Sequence, residues 1–356
     1  MSTLWSKLIP VLGALVMGGA IMLHMNAVIA GICMLTLMGT VICAVHHAEV
    51  VAHRVGEPFG TLVLALAVTI IEVALIVSIM LSGGPETAVV PRDTVFSAIM
   101  IICNGLIGLC LLIGGIRYRE QSFNMGGANA ALATLIALAT LSLVLPTFTT
   151  SSAGLTYSTS QLSFAAIASL VLWGTFVFVQ TVRHRDYFLP IENPADENIH
   201  ATPPTNREAW SSFGFLMLGL VVVVGLAKTL SPSIEAAVVE VGAPQATIGV
   251  LIAVLVLLPE TTAAIRAAMA NRLQTSLNLA LGSALASIGL TIPAVALTSL
   301  LLGTPLQLGL QAKDLVLLTL TFLVTSITLV TGRTSVMQGA IHIVIFAAFL
   351  FLTLIP

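Results

Sequence analysis

The chain has 356 residues, 58% of them hydrophobic and only 8% charged, with a mean hydropathy of +1.08. Ordinary soluble domains carry about 25% charged residues, and here 13 Lys and Arg stand against 15 Asp and Glu for a net charge of −2, with no basic block. A soluble enzyme, a nucleic-acid binder and a disordered scaffold are excluded, which leaves a protein whose solvent is lipid.

An apolar run of about 20 residues crosses the roughly 30 Å hydrocarbon core as a helix. About eleven such runs are predicted, near 7–24, 26–45, 59–81, 94–115, 128–146, 162–182, 212–230, 244–265, 274–301, 312–330 and 335–355. The first, Lys7 followed by Leu8 to Leu23, is like a signal peptide, but no small-residue cleavage site opens into a polar chain, so it reads as an uncleaved span. Cys33, Cys43, Cys103 and Cys110 lie inside apolar runs without a Cys-x-x-Cys pair and read as small core hydrophobes. His46, His47, Glu49, His53 and Glu57 precede the third span. Glu49, His53 and Glu57 are candidates for cytoplasmic cation access or pH sensing, although a solvated loop or interfacial helix is the plainer reading. Arg183 to Ser211 holds five acids and four prolines and reads as a cytoplasmic linker between six spans and five. His342, in the last span with no acid near it in sequence, reads as a satisfied core histidine.

The chain then divides into an extra N-terminal helix (1–25), a first five-helix repeat (26–182), the linker (183–211) and a second five-helix repeat (212–356). Lys and Arg bias supports the count. With a cytoplasmic N-terminus, that side holds Lys7, Arg54, Arg117, Arg119, Arg183, Arg185, Arg207, Arg266, Arg272 and Arg333. The other side holds Arg92, Lys228 and Lys313. A wrong count would scramble this division, and the C-terminus falls outside.

A carboxylate at the bilayer centre costs about 2.5–3.5 kcal/mol on insertion scales. Of the fifteen acids, all but Glu72 and Glu260 fall in loops or at span ends. These two lie about 20 Å along their spans at 1.5 Å per residue, on the second helix of each five-helix half and in opposite orientations. That is the pattern of an inverted repeat with a midplane binding site. A single buried Glu is often a helix–helix hydrogen bond; two placed symmetrically favour function. Pro259 removes one N–H and displaces the carbonyl of Leu255, freeing a backbone oxygen beside Glu260. Asn104, Ser283 and Ser287 lie in the spans that follow the acids and read either as further oxygen ligands or as packing contacts. Calcium takes six to eight oxygens, of which two carboxylates supply at most four.

Two carboxylates are neutralised by one divalent cation or by two protons. Bare charges at the midplane are expensive, so the empty carrier resists crossing over, and cation flow one way is coupled to proton flow the other. The cycle requires at least one glutamate to take up a proton near neutral pH. A channel fits less well, because paired midplane acids trap an ion. An intramembrane enzyme lacks support: there is no Gly-x-Ser-x-Gly elbow, His-Glu-x-x-His pair or P-loop.

The run Ala48-Glu49-Val50-Val51-Ala52-His53-Arg54-Val55-Gly56-Glu57-Pro58-Phe59-Gly60, continuing to Glu72, resembles the first signature of the calcium/proton exchanger family, within the cation/calcium exchanger superfamily. Pro259-Glu260-Thr261-Thr262-Ala263-Ala264-Ile265, then Asn278 to Ala284 and Pro293, resemble the second. The Arg92-Asp93-Thr94 and Thr331-Gly332-Arg333-Thr334 runs bring the likeness nearest to the bacterial ChaA-type antiporters. The resemblance implies an all-α membrane protein of two inverted five-helix repeats, with alternating access around Glu72 and Glu260 and with Asn104 as the matching Asn of the helix after the first motif. Thr69, Asn104, Leu255, Pro259, Ser283 and Ser287 are the candidate supporting ligands. The family's Gly-Asn-x-x-Glu is replaced by Val68-Thr69 and by Val256-Leu257, Thr261 stands where a His is common, and Ala286 where a Gln is. The expected function is therefore export of Ca²⁺ in exchange for H⁺ across a bacterial inner membrane, with Na⁺ or K⁺ for H⁺ as the alternative. No cofactor, nucleic acid or protein partner is implied; the partners are membrane lipid, small cations and protons, and a homo-oligomer is compatible with the reading.

Overall fold

The computed structural model describes residues 4–23, 25–56, 59–82, 85–189 and 204–355. Glu57 and the linker acids Glu192, Asp196 and Glu197 lie outside the described residues. Eleven helices among the described residues are long and apolar enough to cross a membrane. They are α1 (Leu4–Met22), α2 (Ala27–Val55), α3 (Phe59–Ser82), α4 (Thr87–Tyr118), α5 (Met125–Phe148) and α6 (Thr159–Arg183). After the linker come α7 (Asn206–Val241), α8 (Ala246–Met269), α9 (Leu273–Leu302), α10 (Ala312–Val330) and α11 (Val336–Leu354).

Every expected span is present, and three are much longer than hydropathy indicates. Nothing between His46 and Val55 breaks a helix, so α2 runs on to Gly56, whose φ of 75° ends it; the stretch His46 to His53 is helix, not loop. The helix α4 begins earlier, at Thr87, and α7 starts at Asn206 and continues through Pro232. Hydropathy marks where a helix is apolar, whereas its ends are set by caps and breakers. Asn26 starts α2 by accepting from the Ile29 N–H at 2.9 Å. The helices α4, α5 and α6 each contain a π-helical segment, at Ile101–Leu106, Thr140–Val144 and Val179–Arg183. A two-residue antiparallel ladder, β1 (Gln121–Ser122) with β2 (Arg333–Thr334), interrupts the all-helical fold.

The chain divides into two compact units, each drawing on both halves of the sequence. One holds α1, α2, α3, α7 and α8 up to Val256; the other holds α4 to α6, α8 from Leu257, and α9 to α11. Of the spans five apart in order, α2 with α7, α4 with α9, α5 with α10 and α6 with α11 share a unit, whereas α8, the counterpart of α3, is divided after Val256.

In the first unit α2 packs along α7, α3 lies on both, and α1 covers α2 and α7. Cys33, Leu37, Val41, Ala44 and Ala48 recur every three or four residues and form one buried stripe on α2. Lipid tails are as apolar as leucine, so helices in a membrane associate through close packing, not through escape from water. A Cβ on Gly219 would meet the Ala44 Cβ at 3.2 Å, and one on Gly13 would meet Thr40 at 2.9 Å.

In the second unit α4 packs along α11, and α9 along α6. The third helix of each five-helix half thus pairs with the last helix of the other. Both crossings rest on glycine: a Cβ on Gly108 would lie 2.7 Å from the His342 Cβ, and one on Gly289 would lie 2.6 Å from the Trp173 Cβ.

The charged residues of the second unit are sorted by end. The β1–β2 ladder joins the α4–α5 and α10–α11 loops. Tyr118 Oη donates to Met269 O at 2.7 Å and Gln121 Nε2 to Asn271 Oδ1 at 2.9 Å, adding the α8–α9 loop. Asn278 Nδ2 donates to Phe188 O at 2.6 Å, adding the segment after α6. Arg117, Arg119, Arg183, Arg185, Arg266, Arg272 and Arg333 therefore share one end. Arg92, which donates to Gly309 O at 3.3 Å, and Lys313, which donates to Leu352 O at 3.0 Å, mark the other. These nine residues divide between the two ends in the same two groups as in the sequence reading.

Candidate functional site

Glu72 belongs to the first unit. It lies thirteen residues beyond Phe59 in the 24-residue α3 and is 3% exposed. Thr69, one turn earlier on the same helix face, is also buried, and so are Ile71, Leu75 and Ile76 around it. Glu260 stands fourteen residues beyond Ala246 in α8, also 24 residues long, in the part that belongs to the second unit. It is half-buried. At 1.5 Å per residue both acids lie about 20 Å along their helices.

The helix α8 runs unbroken through Pro259, which has no N–H to offer Leu255 O. Pro259's own carbonyl accepts from Thr262 Oγ1 at 2.8 Å. The α8 segment after Glu260 is tied to α9 by Ser276 Oγ donating to Ala264 O at 2.6 Å. Ser287 is buried and Ser283 half-buried, one turn apart on α9.

Asn104 is fully buried in the π-helical segment of α4. Its Nδ2 donates to Thr321 Oγ1 on α10 at 2.8 Å, and its Oδ1 faces His342 Nδ1 on α11 at 3.2 Å. The other ring nitrogen of His342 lies 3.1 Å from Thr328 Oγ1. His342 is satisfied, as expected, but its partner is the candidate ligand itself. Sequence reasoning missed this contact because the two residues are 238 positions apart and neither is charged. The available signal was glycine spacing: Gly105 and Gly108 on α4 face Phe346 and His342, and a Cβ on Gly339 of α11 would lie 3.0 Å from Gly108 O.

Glu49 and His53 are exposed at the end of α2. His47, in contrast, is 2% exposed, with Nε2 2.9 Å from Ser6 O and its ring stacked on Phe215 at 5.3 Å. These contacts hold α1 and α7 against α2. Among the described residues no three His, Cys, Asp or Glu side chains gather as a resident metal would require.

The sequence pattern of the family described as sodium/calcium exchanger protein matches residues 25–182 and 211–355. The chain belongs to that family. As a family member it is an integral membrane secondary transporter of cations, not an enzyme. It is 51% identical, over 99% of its length and 96% of the relative's, to y4hA of Sinorhizobium fredii, a protein named as an ionic transporter. It is 36% identical, over 91% of its length and 88% of the relative's, to the sodium-potassium/proton antiporter ChaA of Escherichia coli. In three dimensions it resembles native YfkE with a TM-score of 0.76 at 18% identity, covering 99% of this chain and all of that one; YfkE is described as a Ca²⁺/H⁺ antiporter. That likeness gives this exchanger its fold: eleven helices, two five-helix halves and one additional helix at the start.

Proposed function

We propose that this exchanger moves Ca²⁺ out of a bacterial cell in return for protons, and that Glu72 and Glu260 take up cation and protons in alternation. The observation that carries the reading is the placement of the two acids. Each lies about 20 Å along a 24-residue apolar helix, and the two helices hold equivalent places in the repeats 26–182 and 212–356. A charge at that depth costs about 2.5–3.5 kcal/mol unless it serves binding. The supporting oxygens are those of Thr69, Leu255, Pro259, Asn104, Ser283 and Ser287. On the same reading the Lys- and Arg-rich loops face the cytoplasm, with the N-terminus inside and the C-terminus outside.

A second reading, exchange of Na⁺ or K⁺ for H⁺, has two observations in its favour. The 36% identical relative is named for those ions, and Thr69 and Leu257 stand where the calcium exchanger pattern has asparagines. Both readings use the same two carboxylates and differ in the number of neutral oxygens around them.

Reconstitution in liposomes with an imposed pH gradient tests both. Ca²⁺-dependent proton flux is expected in the unaltered protein and is expected to vanish in Glu72→Gln and in Glu260→Gln. Flux with Na⁺ or K⁺ but not Ca²⁺ would establish the second reading. Flux indifferent to both substitutions would overturn the two-glutamate mechanism.

A further inference from the structure

Three helices of the second unit, α4, α10 and α11, meet on a chain of polar side chains enclosed by apolar ones. Asn104, Thr321 and His342 are fully buried, and Thr328 nearly so. Thr321 Oγ1 donates to Met100 Sδ at 3.4 Å, so its lone pairs receive the Asn104 Nδ2–H at 2.8 Å. With the amide nitrogen facing Thr321, the amide oxygen faces His342 Nδ1 at 3.2 Å. An amide oxygen only accepts, so His342 carries its proton on Nδ1, and Nε2 is left to accept from the Thr328 hydroxyl at 3.1 Å. His342 also bonds the Cys103 backbone, so the ring is held to α4 at two neighbouring residues.

The backbone is adapted to bring these groups together. Asn104 sits in the π-helical turn Ile101–Leu106, which shifts its side chain out of α-helical register. One turn on, Gly108 leaves no room for a Cβ beside His342, and Gly339 leaves none beside Leu112 N. The close α4–α11 crossing thus holds a histidine ring against the amide.

The geometry points to His342 as a positioning residue for cation exchange: it holds the Asn104 amide so that its oxygen, and not its nitrogen, is available to the travelling ion. This rests on the reading of Asn104 as a cation ligand. The oxygen has two lone pairs; one accepts from His342 and the other remains for a cation. Without the histidine only Thr321 holds the amide, and a turned amide presents its NH₂ group, which repels a cation where the oxygen would bind it. Outer hydrogen-bond partners of metal ligands are typically worth about 10–100-fold in affinity.

The two amide substitutions of His342 separate this role from simple packing. His342→Asn places an N–H near the position of Nδ1 and retains the Asn104 contact while losing Thr328. His342→Gln places its amide near the position of Nε2, retaining Thr328 and losing Asn104. Cation-dependent proton flux in liposomes is expected to show a KM close to that of the unaltered protein for His342→Asn. For His342→Gln and for Asn104→Ala, KM is expected to rise about 10–100-fold with maximal flux little changed. The double variant His342→Gln with Asn104→Ala is expected to be no worse than Asn104→Ala alone. Equal KM values for the two histidine variants, or additive losses in the double variant, would overturn the positioning role while leaving Asn104 as a ligand. An unaltered KM in Asn104→Ala would overturn both; the glutamate mechanism is then judged separately by Glu72→Gln and Glu260→Gln. Should His342→Gln fail to insert, Thr321→Val releases the other end of the same amide and is expected to raise KM in the same way. An unchanged KM there would overturn the proposal.

Discussion

The helices that carry the two acids have the same length and the same place in their repeats, yet they present their glutamates differently. In α3 the backbone around Glu72 is regular, the acid is 3% exposed, and Thr69, one turn earlier on the same face, carries a hydroxyl. In α8 Pro259 precedes the acid, Glu260 is half-buried, and Pro259 has no N–H to offer the Leu255 carbonyl. On the proposed mechanism, one repeat supplements its carboxylate from a side chain and the other from the backbone. A side-chain oxygen can be deleted without disturbing the helix. A backbone oxygen can be withdrawn only by restoring the helix.

This asymmetry predicts different costs. The largest is expected from Pro259→Ala, which returns an N–H to Leu255 O. Cation affinity should fall about tenfold, the equivalent of about 1.4 kcal/mol, while thermal stability in detergent rises, because a helix-interior proline is unfavourable. Lower affinity together with lower stability would contradict the account of α8. Thr69→Val should weaken cation binding less, about twofold to fivefold, the worth of one hydroxyl at about 0.5–1 kcal/mol, and leave the melting temperature nearly unchanged. Measured cation dependence of flux decides it, and equal losses at the two positions would erase the distinction between side-chain and backbone supply. The smallest effect is expected at the exposed end of α2. Glu49→Gln and His53→Gln should change exchange rates by less than about twofold between pH 6 and 8, since substitutions at exposed positions are usually within about 0.5 kcal/mol. A larger, pH-dependent change would establish these residues as a pH-sensing or cation-access element.

The comparison also marks how far reading residues in order can go. Glu72 and Glu260 were legible because the membrane makes every buried charge conspicuous, and insertion cost is a property of single residues at known depth. The same holds for the spans and for the sorting of arginines to one end of the second unit. The length of α2 was not legible from hydropathy, since His46 to His53 lower the average without breaking the helix. His47 looked like part of a polar approach to the membrane, and its burial against Ser6 and Phe215 depends on where α1 and α7 lie.

By itself the sequence determined a lipid-embedded all-helical chain, its eleven crossings, its two halves and the two acids at matching depth. These follow from local free energies of transfer, summed residue by residue. Only the tertiary structure decided that Asn104 is clasped by Thr321 and His342, and that the pairings of α4 with α11 and of α9 with α6 rest on glycines. It also revealed the two compact units, each composed from both halves. Contacts between helices in lipid depend on side-chain shape and backbone approach across hundreds of residues, and no window along the chain contains that information.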